Sequence, residues 1–364
     1  GFSSLVELSL TYSPPLHTRF FARMDVSKRG IRKATMTLVR AMSDADQVAQ
    51  SARICAHLAP FLQQLEQAAH QPFTARHADT VNAVPSSSIV PHRESFRVAA
   101  YLAMRRNEVS LDPLMESWLR RNLEPTSGDR HIFVPKMLPE GEFHQLFVSP
   151  LKSPAETLNP SADSFVMIFT EVLSLEDWER NYPWLHIGGT PGYDLRELRD
   201  DTLAVDVSPA PAFADPPSAT AAAAVPESLA AASQRRQYLL PRSCPLDSPL
   251  LTASPSLRQR CHHSFSLMLL PGVRFDADRG ARLGRGGGFY DRFLAFSDPS
   301  STDGLDGAPS FLIGVGFDNQ ITARCDRGGS GAGESSGQLP VPIEPHDVRV
   351  SGVCGPSLGL VMAS

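Results

Sequence analysis

The sequence predicts an α/β fold, a mostly parallel sheet with helices on both faces. Three observations carry that prediction. The stretch "SFSLMLLPGVRF" (264–275) is a near-continuous apolar run closed by Pro271 and Gly272, as expected of a strand covered on both sides. Other β-rich runs alternate with stretches of helical periodicity, the order that builds parallel sheets through crossover helices. Of the 364 residues, 42% are hydrophobic, enough for a large core once low-complexity segments are set aside.

In chain order, helices are expected over 27–42 and 44–69. The first opens on Ser27, a good N-cap, and carries an apolar stripe of Ile31, Leu38 and Met42. "SFRVAAYLAM" (95–104) reads as a short strand and "LDPLMESWLRRN" (111–122) as the helix after it. "HIFVPKM" (131–137) and "FVMIFTEV" (165–172) are β-rich. Beyond the 264–275 strand, a helix is expected over 289–296 and a strand at "FLIGVGF" (311–317). Low-complexity stretches near 78–94, 207–258 and 326–338 lack the large apolar side chains that would offset the entropy of ordering them. The plainest is "SPAPAFADPPSATAAAAVPESLAAASQ" (208–234), almost wholly Ala, Pro and Ser. They read as insertions into one domain over 24–364. Residues 1–23 read as an extension ahead of a start at Met24, and an organelle-transit reading of them stays open.

A net charge of −5 makes no overall case for nucleic acid or a membrane surface as partner, and no apolar run approaches the roughly 18 residues of a membrane span. The chain is expected to be a monomer acting on small molecules. Its five cysteines (Cys55, Cys244, Cys261, Cys325, Cys354) are scattered and never form a CxxC pair. They read as reduced thiols of a cytoplasmic protein, a mitochondrial one being the alternative. "CHH" (261–263) has no partner ligands at zinc spacing, and His346-Asp347 has no nucleophile motif beside it, so neither marks a site.

Two stretches remain to carry chemistry. "RLGRGGGFYDRFLAF" (282–296) sets four glycines in five positions between a buried strand and a helix start, which suits close approach of backbone N–H groups to an anion. It is neither a GxGxxG turn, since Phe289 holds the last glycine position, nor a P-loop, since no Lys-Ser/Thr follows. Arg282 and Arg285 favour a phosphate over a merely flexible loop. "SKRGIRKATMTLVRAM" (27–42) puts Lys28 and Arg29 in a helix's first turn, against its dipole, with Arg32 one turn on. A bound polyanion would offset that cost; a solvated basic face is the alternative.

These residues stand in a recognisable order. "LPGVRFDADRGARLGRGGGFYDRFL" (270–294) resembles the signature of the 5-formyltetrahydrofolate cyclo-ligases, also called 5,10-methenyltetrahydrofolate synthetases. "KRGIRKATMTLVRAMS" (28–43), "YLAMRRNEVSLDPL" (101–114), "FVPKM" (133–137), "GVGFDNQI" (314–321) and "VPIEPHDVRV" (341–350) resemble further family motifs in the family's order. Three positions depart from it: Phe289 stands where many members have Tyr, Thr190-Pro191 where Glu-Pro or Gln-Pro is usual, and Ser351 where Asp is common.

The resemblance implies a Rossmann-like fold and a ligase that uses ATP and Mg²⁺ to cyclise 5-formyltetrahydrofolate; a non-catalytic binding protein of the same fold is the rival. It places ATP on Lys28, Arg29, Gly30, Ile31 and Arg32, and on Arg282, Leu283, Gly284, Arg285, Gly286, Gly287, Gly288, Phe289 and Tyr290. It places the folate on Leu102, Glu108, Met167 and Trp184, with Arg285 to Phe289 between the two substrates. Arg285 and Tyr290 would be catalytic, and Asp291 and Asp347 would hold Mg²⁺.

Overall fold

The computed structural model describes residues 27–70, 95–104, 106–121, 130–148, 164–186, 194–198, 235–294, 310–322 and 341–363. The expected extension 1–23 and the low-complexity stretches near 78–94 and 326–338 lie outside them, as do Thr190, Pro191 and Cys325.

The strands are β1 (Phe96–Ala100), β2 (Arg130–Pro139), β3 (Phe165–Val172), β4 (Trp184–His186), β5 (Asp194–Arg196), β6 (Tyr238–Leu239), β7 (Cys261–His262), β8 (Leu267–Pro271), β9 (Arg274–Asp276), β10 (Ala281–Leu283), β11 (Phe311–Val315), β12 (Ile321–Thr322), β13 (Gly352–Gly355) and β14 (Gly359–Met362). The helices are α1 (Lys28–Arg40), α2 (Asp44–His70), α3 (Asp112–Arg121), α4 (Glu140–Phe147), α5 (Leu175–Asn181), α6 (Pro249–Ala253), α7 (Pro255–Arg260) and α8 (Phe289–Leu294). The main sheet runs β14-β13-β11-β8-β1-β2-β3-β6-β7. Its five central neighbours β13, β11, β8, β1 and β2 are parallel, while β14 and β3 pair antiparallel on either side. The sheet is mostly parallel, as expected.

Alternation along the strands explains the unbroken apolar runs. Val98, Ala100, Leu267 and Leu269 enter one core cluster with α2 and α3, while Ala99, Met268 and Leu270 enter another. The second face is covered by α8, through Phe293 and Leu294, and by residues of a small sheet β10-β9-β12. α1 buries Ile31, Ala34, Thr35 and Val39, so its inner face is turned from the expected Ile31–Leu38–Met42 stripe. No helix among the described residues is long and apolar enough to cross a membrane.

Phe275, on β9, sits wholly buried where three glycines make room for it. A Cβ at Gly272 or Gly314 would lie 2.5 or 2.4 Å from its ring, and one at Gly316 would lie 3.0 Å away. The glycines of "PGV" and "GVG" therefore serve packing. Gly314→Ala should lower Tm by about 2–10 °C, the cost of overpacking a core this size; a thermal melt reads it directly.

One boundary moves. The low-complexity stretch expected near 207–258 includes residues of the body: Arg236, Tyr238, Leu239, Leu250, Leu251 and Leu257 are all buried. β6 pairs with β3, so from Arg235 onward the chain is part of the main sheet and its covering helices.

"CHH" lies partly on the edge strand β7. Burial, followed by the nearby charges of Arg97 and His131, pushes the His262 imidazole down to about 3. A histidine held neutral in the native state takes up its proton on unfolding, so its contribution is complete above about pH 6.5 and fades as pH falls toward 3. His262→Gln should therefore flatten the fall in Tm between pH 7.5 and pH 4. The four described cysteines are buried and free.

Candidate active site

The loop that leaves β1 is pinned before any ligand is considered. The Tyr101 hydroxyl donates to the Val109 carbonyl at 2.7 Å, and Gln47 and Ser51 of α2 accept the amides of Asn107 and Ser110. Asn107 takes a left-handed conformation at φ 68°, which its short polar side chain tolerates. Glu108 is thereby fixed, with Oε2 accepting the Met104 amide at 2.9 Å and Oε1 facing outward. The sequence reading missed Tyr101, Gln47, Ser51 and Asn107; only the Asn in a loop was a local signal.

The glycine turn follows β10. Gly286 and Gly288 have φ of 108° and 65°, conformations that side chains rarely adopt. Arg32, from α1, donates through Nε to the Gly284 carbonyl at 2.8 Å and brings its guanidinium beside Gly286. Arg285 reaches the other way, its Nε 2.8 Å from Glu108 Oε1. The turn thus joins the basic helix to the β1 loop. α8 is only six residues long, so the backbone of the turn, more than a helix dipole, is the available anion donor.

Lys28, Arg32, Arg282 and Arg285 each already have an internal partner, while Arg29 and Lys33 are exposed. Lys28 Nζ lies 2.6 Å from Asp347 and 3.1 Å from Glu344, which offsets the dipole cost read from the sequence. Burial acts against the charge of Lys28, but these hydrogen bonds and charges outweigh it and raise its pKa. On Asp347 burial acts to raise the pKa, but the bond from Lys28, that from the Glu344 amide and the nearby positive charge outweigh it and lower the pKa.

Four residues expected at the nucleotide have internal contacts of their own. The Arg282 guanidinium is buried, donating to Asp291 at 2.5 Å and the Pro271 carbonyl at 3.2 Å. It braces the turn from beneath. Ile31 and Leu283 pack their side chains into a small core with Ala281 and Val341. The Gly30 amide donates to Ser27 Oγ as the helix cap.

The residues expected for the folate fall on two cavities. Glu108 and Trp184 line one of about 720 Å³, with Met104, Arg106 and Asp112. Met167 and Phe289 line another of about 620 Å³, with Phe165, Glu140 and Arg292. Leu102 packs partly buried against the first core cluster. Tyr290 packs its ring 6.4 Å from that of Phe169. Burial first, and the charge of Glu108 second, hold its hydroxyl protonated far above the usual range, so it can donate a hydrogen bond but not accept a proton as a base.

Among the described residues no group of three or more His, Cys, Asp or Glu could hold a metal. Mg²⁺ commonly uses one or two carboxylates, with phosphates and water completing its shell. Asp291 and Asp347 fit that count, each held in place by a cation.

Comparison with known proteins finds a family model that matches part of the chain. The model of the 5-formyltetrahydrofolate cyclo-ligase family matches residues 234–325. No curated protein matches the chain. A solved 5,10-methenyltetrahydrofolate synthetase from Mycoplasma pneumoniae matches with 13% identity and a TM-score of 0.38, over 91% of this chain and 99% of that one. The matched residues hold β6, the buried Arg236, the glycine turn, Arg282, Arg285 and Asp291. Over those residues the chain is similar to the 5-formyltetrahydrofolate cyclo-ligase family.

Proposed function

We propose that this protein is a ligase of the 5-formyltetrahydrofolate cyclo-ligase family, converting 5-formyltetrahydrofolate to 5,10-methenyltetrahydrofolate with ATP and Mg²⁺ and releasing ADP and phosphate. The observation that carries the reading is the Arg285–Glu108 contact: it joins a glycine turn suited to phosphate with a cavity of about 720 Å³ walled by Trp184. That volume suits a small organic ligand.

The formyl oxygen is a poor leaving group. Its attack on the γ-phosphorus forms an O–P bond and breaks the bond to the β-phosphate oxygen, leaving ADP and an iminium phosphate. N10 then attacks the formyl carbon, loses its proton, and phosphate departs as the ring closes. Such chemistry needs positioning and charge stabilisation more than covalent help. The pair of Arg285 with Glu108 is partly exposed and so costs little to open. Glu108 then meets the donor edge of the pterin while Arg285 turns to the transferred phosphate. Lys28 and Arg32 hold the nucleotide, and Tyr290 donates its proton-bearing hydroxyl. Asp291 and Asp347 would hold Mg²⁺, which neutralises phosphate charge when bound. Mixing the protein with 5-formyltetrahydrofolate and Mg·ATP should produce the near-ultraviolet band of the methenyl product. No band from folded protein, or the same band without ATP, defeats the reading.

A further inference from the structure

Trp184 is one of the few large apolar side chains left exposed, at 39%, and it stands on a strand of three residues. A two-stranded ribbon of that size is marginal alone. β4–β5 is held from the core by its second strand. Lys136 on β2 is nearly buried and donates to Glu197 Oε1 and to the Leu198 carbonyl, both at 3.0 Å. "FVPKM" contributes this anchor, which the site itself does not use.

Arg196 carries the anchoring across to the ring. It is the direct cross-strand partner of Trp184. Its guanidinium carbon lies 5.0 Å from the Trp184 ring centre and 4.7 Å from that of Trp178, a fully buried indole on α5. Nη1 donates to the Tyr182 carbonyl at 3.2 Å, and Nε lies 3.6 Å from Asp112. A planar cation between two indoles fixes both position and tilt, which a flexible ammonium cannot do. Asp112 and Trp184 both line the 720 Å³ cavity.

We infer that Arg196 is a positioning residue that holds the Trp184 indole as a wall of the folate pocket, setting affinity for the ring system and leaving phosphoryl transfer untouched. The inference rests on reading that cavity as the folate site.

The test uses the full chain with Arg196→Met, Arg196→Lys, Trp184→Ala and the double variant Arg196→Met/Trp184→Ala. Arg196→Met should raise both Kd by calorimetry and KM for 5-formyltetrahydrofolate about tenfold. Its kcat and its affinity for a non-hydrolysable ATP analogue should stay within about twofold of wild type. Arg196→Lys should be nearly as weak, and it carries the test if Arg196→Met fails to fold. Trp184→Ala should match Arg196→Met, and the double variant should be no weaker than Trp184→Ala alone. Acrylamide quenching, taken as the difference between chains with Trp184 and with Trp184→Phe, should rise in Arg196→Met without any substrate. Equal loss from Arg196→Met in both backgrounds, or unchanged quenching and Kd, overturns the inference. Raised quenching in a protein whose wild type binds no folate keeps the brace and defeats the folate reading instead.

Discussion

Replacing Arg236 with methionine should lower Tm by about 6–20 °C. Arg236 is wholly buried, and its guanidinium donates to both oxygens of Asp177, at 2.8 and 2.9 Å. It also donates to the Tyr182 hydroxyl at 3.0 Å and to the Glu171 carbonyl. One side chain therefore ties the segment before β6 to the end of β3 and to α5. Asp177 uses the same two oxygens to accept the Leu173 amide and the Asn181 side chain, so it cannot follow the lost cation into solvent. Removing one member of such a pair leaves a buried charge uncompensated, at about 3–5 kcal/mol. A domain this size loses about 2–4 °C per kcal/mol. Arg236→Met/Asp177→Asn should recover part of the loss, because the stranded charge goes with its partner. A single variant melting within about 2 °C of wild type would show that the network is not needed. The same contacts predict that replacing 209–256 with a short linker destroys the fold, since that cut removes Arg236, β6 and α6 together.

Arg236 also shows where sequence reading stops. Its stretch borders an Ala/Pro-rich run, β6 is two residues long, and Asp177 is 59 positions away. Nothing local distinguishes a buried arginine there from a solvated one. β8 was legible for the opposite reason, because burial on both faces is written into each residue of the strand. The glycine turn was legible too, from four glycines in five positions. Pairing was not: the sequence shows an excess of cations in α1 and the turn, but not that Asp347, Glu344, Asp291 and Glu108 answer them. Likewise, the glycines of "GVGF" stand out in a chain, yet only the fold shows Phe275 filling the space they leave. Met167 and Glu108 looked like members of one pocket, and in the structure they line two different cavities.

Arg285→Ala should lower kcat by about 10²–10³ while leaving Tm within about 1 °C of wild type. The two halves of that expectation come from one geometry. Arg285 is exposed, and its ion pair with Glu108 is partly open to solvent, so the fold loses little when it is removed. The same exposure leaves the guanidinium free to turn from Glu108 toward a phosphate held by the glycine backbone, where charge accumulates during transfer. Arg282→Ala should behave in the reverse order, with Tm falling first, because its guanidinium is buried against Asp291 and the Pro271 carbonyl. Glu108→Ala should weaken folate binding and leave binding of a non-hydrolysable ATP analogue nearly unchanged, since its own contacts lie on the cavity side of the turn. Melting curves, calorimetric titrations with each ligand, and steady-state kinetics on the three variants separate these roles. Normal turnover by Arg285→Ala, or loss of analogue binding by a folded Glu108→Ala, would mean that the turn and the cavity do not divide the two substrates between them.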